Sequence, residues 1–142
     1  MINWDTIKTG YGNASHIPEA IDNLFSLDEK VRHDAYWKLD NFVVVQSDLY
    51  EAAFYIIEPI VQLLEKPYKS DRVLALRILI EVAIGGNGDD TFSFNDNGKI
   101  QILSLDEACK TKFKNLKKRI ERIEVRTKDE TEELSFLLES IE

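Results

Sequence analysis

Cysteine is almost absent from this chain: Cys109 is the single one among 142 residues. A lone thiol has no intramolecular partner for a disulfide. Together with only two histidines, His16 and His33, it cannot furnish the four ligands of a structural zinc site. A reducing cytoplasm is the simplest setting. Long apolar runs are also missing. No stretch approaches the roughly 18 uninterrupted apolar residues of a membrane span, and the opening MINWDTIKTGYGN lacks the basic start and apolar stretch of an export signal. Neither a membrane nor export is expected. The sequence contains no Gly-x-Ser-x-Gly, Walker or His-Glu-x-x-His pattern, so it offers no convergent set of reacting groups and no cofactor-binding motif. The reading is a non-enzyme without cofactor or metal. Positive charge is scarce: 18 Lys and Arg against 26 Asp and Glu leave a net charge of −8. That field repels nucleic acid and anionic lipid; it either serves solubility alone or draws in a basic partner.

What is present is enough for a core. Hydrophobic residues make up 44% and charged residues 31%, the balance of an ordinary globular protein, and the length suits one domain, 1–142. Apolar positions Ile17, Ala20, Ile21, Leu24 and Phe25 repeat as the buried stripe of a helix. Ser15 is its expected cap, and Pro18 is tolerated in its first turn. A second helix follows Asp28 as N-cap, with Val31, Ala35, Leu39 and Phe42 on one side, closing a helical hairpin over 15–45. A third helix is expected from about Asp48 to Glu65, kinked at Pro59. A fourth runs from near Ser70 or Asp71 until Gly85 and Gly86 end it, as glycine does by accepting left-handed backbone angles, and these two helices give a second hairpin over 48–84. RVLALRILIEVA is apolar nearly all round, which places the fourth helix at the centre of the molecule.

The pattern then changes. Phe92 and Phe94, then Ile100 and Ile102, alternate with polar residues on either side of Asn97-Gly98, the signature of a β-hairpin within 89–103. A calcium loop through Asn95, Asn97, Gly98 and Ile100 is the weaker reading, because its first and twelfth positions would be Ser93 and Ser104, without the bidentate glutamate that hard cations need. Over 104–142, Ser104 with Glu107 and Thr127 with Glu130 form capping boxes that open a long fifth helix and a short sixth.

The most informative feature is an internal period of 40 residues: Ile17 maps to Ile57, Ile21 to Val61, Leu24 to Leu64, Arg32 to Arg72, Ala35 to Ala75, Leu39 to Leu79 and Phe42 to Val82. The matched Arg and Ala carry more weight than the apolar matches, which any two amphipathic helices share. The physical reading is a stack of helical hairpins in which small alanines allow close approach. At this point the chain resembles the HEAT and armadillo class, whose second helices often open with Asp-x-x-Val-Arg-x-x-Ala, here Asp28, Val31, Arg32 and Ala35. Trp4, Tyr11-Gly12, Ala14, Ile17-Pro18, Leu24, Ser26 and Asp28 further resemble a family of small bacterial HEAT-like proteins. In that family a Gln-Gly-x-x-Tyr-x-Ala segment leads into a proline-containing helix. Gln46, Tyr50, Ala52 and Pro59 match it; Ser47 stands in place of the glycine, and Val45 in place of a frequent histidine. The resemblance spans Trp4 to about Ala83. It implies an all-α, HEAT-like solenoid of about three helical hairpins with a short β-hairpin insertion. It also implies a protein-binding function, with small members found among immunity proteins that neutralise bacterial toxins.

Expected sites follow from these elements. Both histidines fall on polar surfaces, and Cys109 begins the apolar stripe of the fifth helix, which favours a buried thiol over a nucleophile. The eight cations Lys110, Lys112, Lys114, Lys117, Lys118, Arg119, Arg122 and Arg126 surround their helix. Pairing with the acidic last helix (Asp129, Glu130, Glu132, Glu133, Glu139) is therefore favoured over a nucleic-acid stripe. HEAT-like DNA glycosylases keep the nucleic-acid class in view, but they need a basic, aromatic-lined groove that cannot be identified here. The expected partner is a basic protein, a toxin domain above all, with a general adaptor role as the alternative. Its candidate contacts are Asp34, Trp37, Asp40 and Glu81 on the second helices of the two hairpins, with Asp89 and Asp90 in the following loop. Trp37 is either an exposed interface anchor or covered by the N-terminal segment around Trp4 and Tyr11.

Overall fold

The computed structural model describes residues 2–141. It corrects the expected fold class: among the described residues 59% are helical and 14% are in strands, with six α-helices and three small two-stranded sheets, so the architecture is mixed and not an all-α, HEAT-like solenoid. The expectation missed short strand pairs at residues 8–13 and 44–49, of which only Asp48–Leu49 lay within an expected helix.

After a short 3-10 turn, strands β1 (Lys8–Thr9) and β2 (Gly12–Asn13) pair antiparallel, and Gly10 N–H ties their turn to the Phe42 carbonyl at 2.9 Å. Helix α1 spans Ile17–Asn23 with Pro18 in its first turn. It has no side-chain cap; the Ser15 N–H donates to Asn13 Oδ1 instead. Helix α2 (Glu29–Val43) is capped as expected, Asp28 accepting from Lys30 N–H at 2.9 Å. It buries Ala35, Tyr36, Leu39 and Val43, while Val31 and Phe42 stay partly exposed.

Helix α3 runs Glu51–Leu64, through Pro59, and begins three residues later than its periodicity suggests. The preceding residues form β3 (Val44–Val45) and β4 (Asp48–Leu49), paired antiparallel. Their turn residues Gln46 and Ser47 both take left-handed angles (φ 51° and 69°), conformations costly for residues with a Cβ. Helix α4 (Val73–Ile84) is central as expected, burying seven of its twelve residues. Gly85 ends it, but with extended, not left-handed, angles (φ −69°). Its glycine is needed for space, since a Cβ there would stand 2.5 Å from Leu49 Cδ2.

Strands β5 (Phe92–Asp96) and β6 (Lys99–Leu103) form the expected hairpin. Helix α5 (Leu105–Glu121) opens on the Ser104 cap. Helix α6 (Lys128–Ile141) opens on a reciprocal box in which Glu130 N–H donates to Thr127 Oγ1 and Thr127 N–H to Glu130 Oε1. The helices lie in two rows, α1, α3 and α5 in one and α2, α4 and α6 in the other.

The 40-residue period has a physical counterpart. Arg32 donates to the carbonyl of Ser26 and Arg72 to that of Lys66, each at 2.8 Å and each six residues back. Arg72 goes further: it is fully buried and also donates to the carbonyls of Leu64 and Glu124. The α5 cations pair differently than expected. Lys112 meets Glu58 at 2.6 Å and Arg119 meets Glu65 at 2.6 Å, so these bridges join α5 to α3 and not to the acidic α6.

Candidate protein-docking face

Helices α2, α4 and α6 lie side by side, and helical spacing sets one stripe from each on a common face: Asp34, Trp37 and Asp40; Arg77, Glu81 and Ile84; Glu133 and Phe136. Two hydrogen bonds tie the stripes together. Tyr36 hydroxyl donates to Glu81 Oε1 at 3.1 Å, and Arg77 Nε donates to Glu133 Oε1 at 3.1 Å.

Three expected site residues are thereby brought together. Asp40 hydrogen-bonds Glu81, and burial, that bond and the Glu81 charge push the Asp40 carboxyl up to about 7. Two adjacent carboxyls cannot both ionise cheaply, so the Asp40 proton is held to higher pH than on an isolated carboxyl. Asp40 Oδ1 is itself buried and has no hydrogen-bond partner, which makes Asp40 the least available of the expected contacts. Tyr36 is held firmly protonated, first by burial and then by the charges of Glu81 and Asp40. Its ring packs edge-on against the Trp37 indole, centroids 5.1 Å apart.

Trp37 is 54% exposed. The N-terminal segment does not cover it: the Tyr11 ring meets Phe42 edge-on, and Trp4 lines a shallow cleft of 360 Å³ with Pro18, Ile21, Pro59 and Leu63. Asp34 is exposed on the same helix. Asp89 and Asp90 are exposed but sit elsewhere. The Asp89 carbonyl accepts from Leu105 N–H at 2.7 Å, and the residue lines a cleft with Lys8, Thr9, Asp48 and Asn87. No hydrogen bond or ion pair joins either residue to the Asp40–Glu81 pair among the described residues.

Phe136, 49% exposed, lies opposite the Leu134–Leu137–Ile141 stripe of its helix; Ile84, 61% exposed, also belongs to the face but escapes sequence reading because it is one more apolar residue in a helix apolar nearly all round. Tyr36 escapes it as well. The signal for the Asp40–Glu81 contact was available: adding 40 to Asn41 gives Glu81, so the repeat sets Glu81 beside the position next to Asp40. The reactive residue types elsewhere are engaged structurally. His16 Nε2 lies 3.1 Å from the Lys38 carbonyl with its ring against Phe42, and His33 is exposed beside Glu29. Cys109 is 1% exposed, and burial pushes its thiol up to about 12. Among the described residues, no group of three or more His, Cys, Asp or Glu is arranged to hold a metal ion, and no helix is long and apolar enough to cross a membrane. Compared with known proteins, the chain matches no family model, no curated protein and no solved structure.

Proposed function

We propose that this chain is a non-catalytic binding protein that docks a basic protein domain on its α2–α4–α6 face, and that it serves in the cytoplasm as an immunity protein against a toxin. The observation that carries the reading is Trp37: a half-exposed indole braced by Tyr36, with Asp34 on the same stripe and Glu81 held by the Tyr36 hydroxyl. An exposed aromatic with a rigid backing loses little freedom on binding and gains much area, which is how an interface anchor works. Asp34, the Asp40–Glu81 pair and Glu133 outweigh the single guanidinium of Arg77, itself paired with Glu133, and favour a cationic partner, as does the net charge of −8. The resemblance between Trp4 and Ala83 to small bacterial immunity proteins supplies the toxin as the kind of partner.

The test is to look beside the gene for a secreted protein ending in a toxin domain, whose absence would overturn the immunity reading, and to express the chain with that domain. A 1:1 complex that restores growth is expected, with Trp37→Ala losing protection. A toxin domain that neither binds the chain nor is neutralised by it would overturn the immunity reading.

A further inference from the structure

The β5–β6 hairpin is fastened to the body on one side only. Phe92 and Phe94 both pack on the Phe54 ring of α3, centroids 5.0 Å away in each case. The opposite face carries Ser93 paired with Ile102 and Asn95 paired with Ile100, and these two isoleucines are 68% and 70% exposed. Large apolar residues on a short outer strand need a cover.

The backbone of β6 is equally open. Asn97 and Gly98 have φ of 51° and 88°, a two-residue type I′ loop, which makes Asp96 and Lys99 the first pair exchanging both hydrogen bonds. Alternation then turns the N–H and C=O groups of Gln101 and Leu103 toward β5 and those of Ile100 and Ile102 outward. Natural edges are guarded by proline, a bulge or inward charge. Lys99-Ile-Gln-Ile-Leu103 has only a terminal lysine.

The edge is also complementary to itself. Lys99 lies at one end. At the other end the bond from Leu105 N–H to the Asp89 carbonyl brings Asp89 and Asp90 beside Leu103, and Asp106 stands in the first turn of α5. Lys99, Asp89, Asp90 and Asp106 make no ion pair among the described residues. Turning a second copy about a two-fold axis through Gln101 sets Ile100 opposite Ile102, so that the outward backbone groups of both chains meet with the correct parity. It also sets each Lys99 toward the other chain's carboxylates.

We propose that β6 is the seam of a homodimer, in which two copies pair Lys99–Leu103 antiparallel about Gln101 and join their hairpins into one four-stranded sheet. The seam is independent of the Trp37 face. It is small beside the roughly 1,200 Å² of a stable interface, and each chain carries a large negative charge, so the dimer is weak, with Kd on the order of 100 μM.

Sedimentation of the full chain across that concentration range should show its mass rising from 16.4 kDa toward twice that value. Ile102→Pro removes an outward N–H while leaving the bonds to β5 in place; with an unchanged circular dichroism spectrum it should remain monomeric. Register is read by cross-linking. Gln101→Cys sits opposite itself across the two-fold axis in a non-hydrogen-bonded pair and should form an intermolecular disulfide under mild oxidation. Lys99→Cys, four residues from its counterpart's level, should not. A chain that stays monomeric to millimolar concentration, a folded Ile102→Pro that dimerises like the parent, or equal cross-linking at 99 and 101 would overturn the proposal.

Discussion

The Glu130 carboxylate, on α6, accepts the Arg72 backbone N–H at the start of α4 at 2.8 Å. The Arg72 side chain does not cap its own helix; Asp71 Oδ1 takes the Val73 N–H at 2.9 Å, and the N–H just before it is held by a residue 58 positions away. The same fully buried carboxylate takes the Tyr68 hydroxyl at 2.7 Å and the N–H groups of Arg126 and Thr127 at 2.8 and 2.9 Å. Tyr68 is in turn held between the guanidinium groups of Arg72 and Arg126, 5.0 and 4.4 Å from its ring centre. The loop before α4 and the loop before α6 are thus locked together through one side chain.

Glu130→Gln should therefore destabilise the protein by about 2–4 kcal/mol, because an amide facing four donors leaves at least one of them unpaired in the interior. Burial raises the carboxyl, but the Tyr68 hydroxyl and the three N–H groups outweigh it and hold Glu130 below its usual value of 4.5. A lowered folded value contributes stability that is present above pH 4.5 and lost as pH falls through the folded value. Urea midpoints measured from pH 7 downward should show a steeper acid loss in the parent than in Glu130→Gln. Equal midpoints at pH 7 would show that the carboxylate does not hold these donors.

Ser47→Gly should stabilise the fold by about 0.5–1 kcal/mol. Ser47 sits at φ 69°, where a Cβ crowds the backbone; relief of that strain is offset in part by the greater freedom of glycine in the unfolded chain. A fall in melting temperature would show that the Ser47 side chain contributes more than its strain costs.

This position also shows where sequence reading stops. The helical stripes of α2, α4, α5 and α6 were legible because each rests on many residues repeating at one period, and the β5–β6 hairpin because Asn97-Gly98 is a strong turn signal. The β3–β4 turn was not, since Gln46-Ser47 lacks glycine and its strands are two residues long. The same brevity hid β1 and β2. The face around Trp37 was half legible: the repeat aligned α2 with α4, yet only tertiary packing could show that Tyr36 bridges to Glu81 or that Asp89 and Asp90 lie away from that pair.

Asp40→Asn should raise stability above neutral pH. Because the Asp40 carboxyl is raised from 3.8 to about 7 in the fold, its contribution is fully present below pH 3.8 and is lost as pH rises through about 7. The gap between variant and parent should widen between about pH 4 and 7 and level off above, reaching on the order of 2 kcal/mol after solvent screening of a partly exposed group. The amide of the variant keeps a donor toward Glu81 without the charge. A gap that does not change with pH would remove the Asp40 proton from the account.

The docking face makes its own prediction about rates. Trp37→Ala deletes an indole that is more than half exposed, so the free protein should lose no more than about 1 kcal/mol. In a complex the same indole becomes buried, and an anchor contributes about 2 kcal/mol or more, which is about thirtyfold in dissociation rate. Surface charge acts on the other step. Asp34→Lys with Glu81→Lys should slow association with a basic toxin domain and flatten its salt dependence, leaving dissociation nearly unchanged. Asp89→Lys with Asp90→Lys, at the base of the β-hairpin, should alter association less, because those carboxylates do not border Trp37. Stopped-flow and surface-binding kinetics separate the two steps. If the Asp89 and Asp90 pair controls association while Trp37→Ala leaves dissociation unchanged, the partner sits on the hairpin side and the α2–α4–α6 face is not its dock.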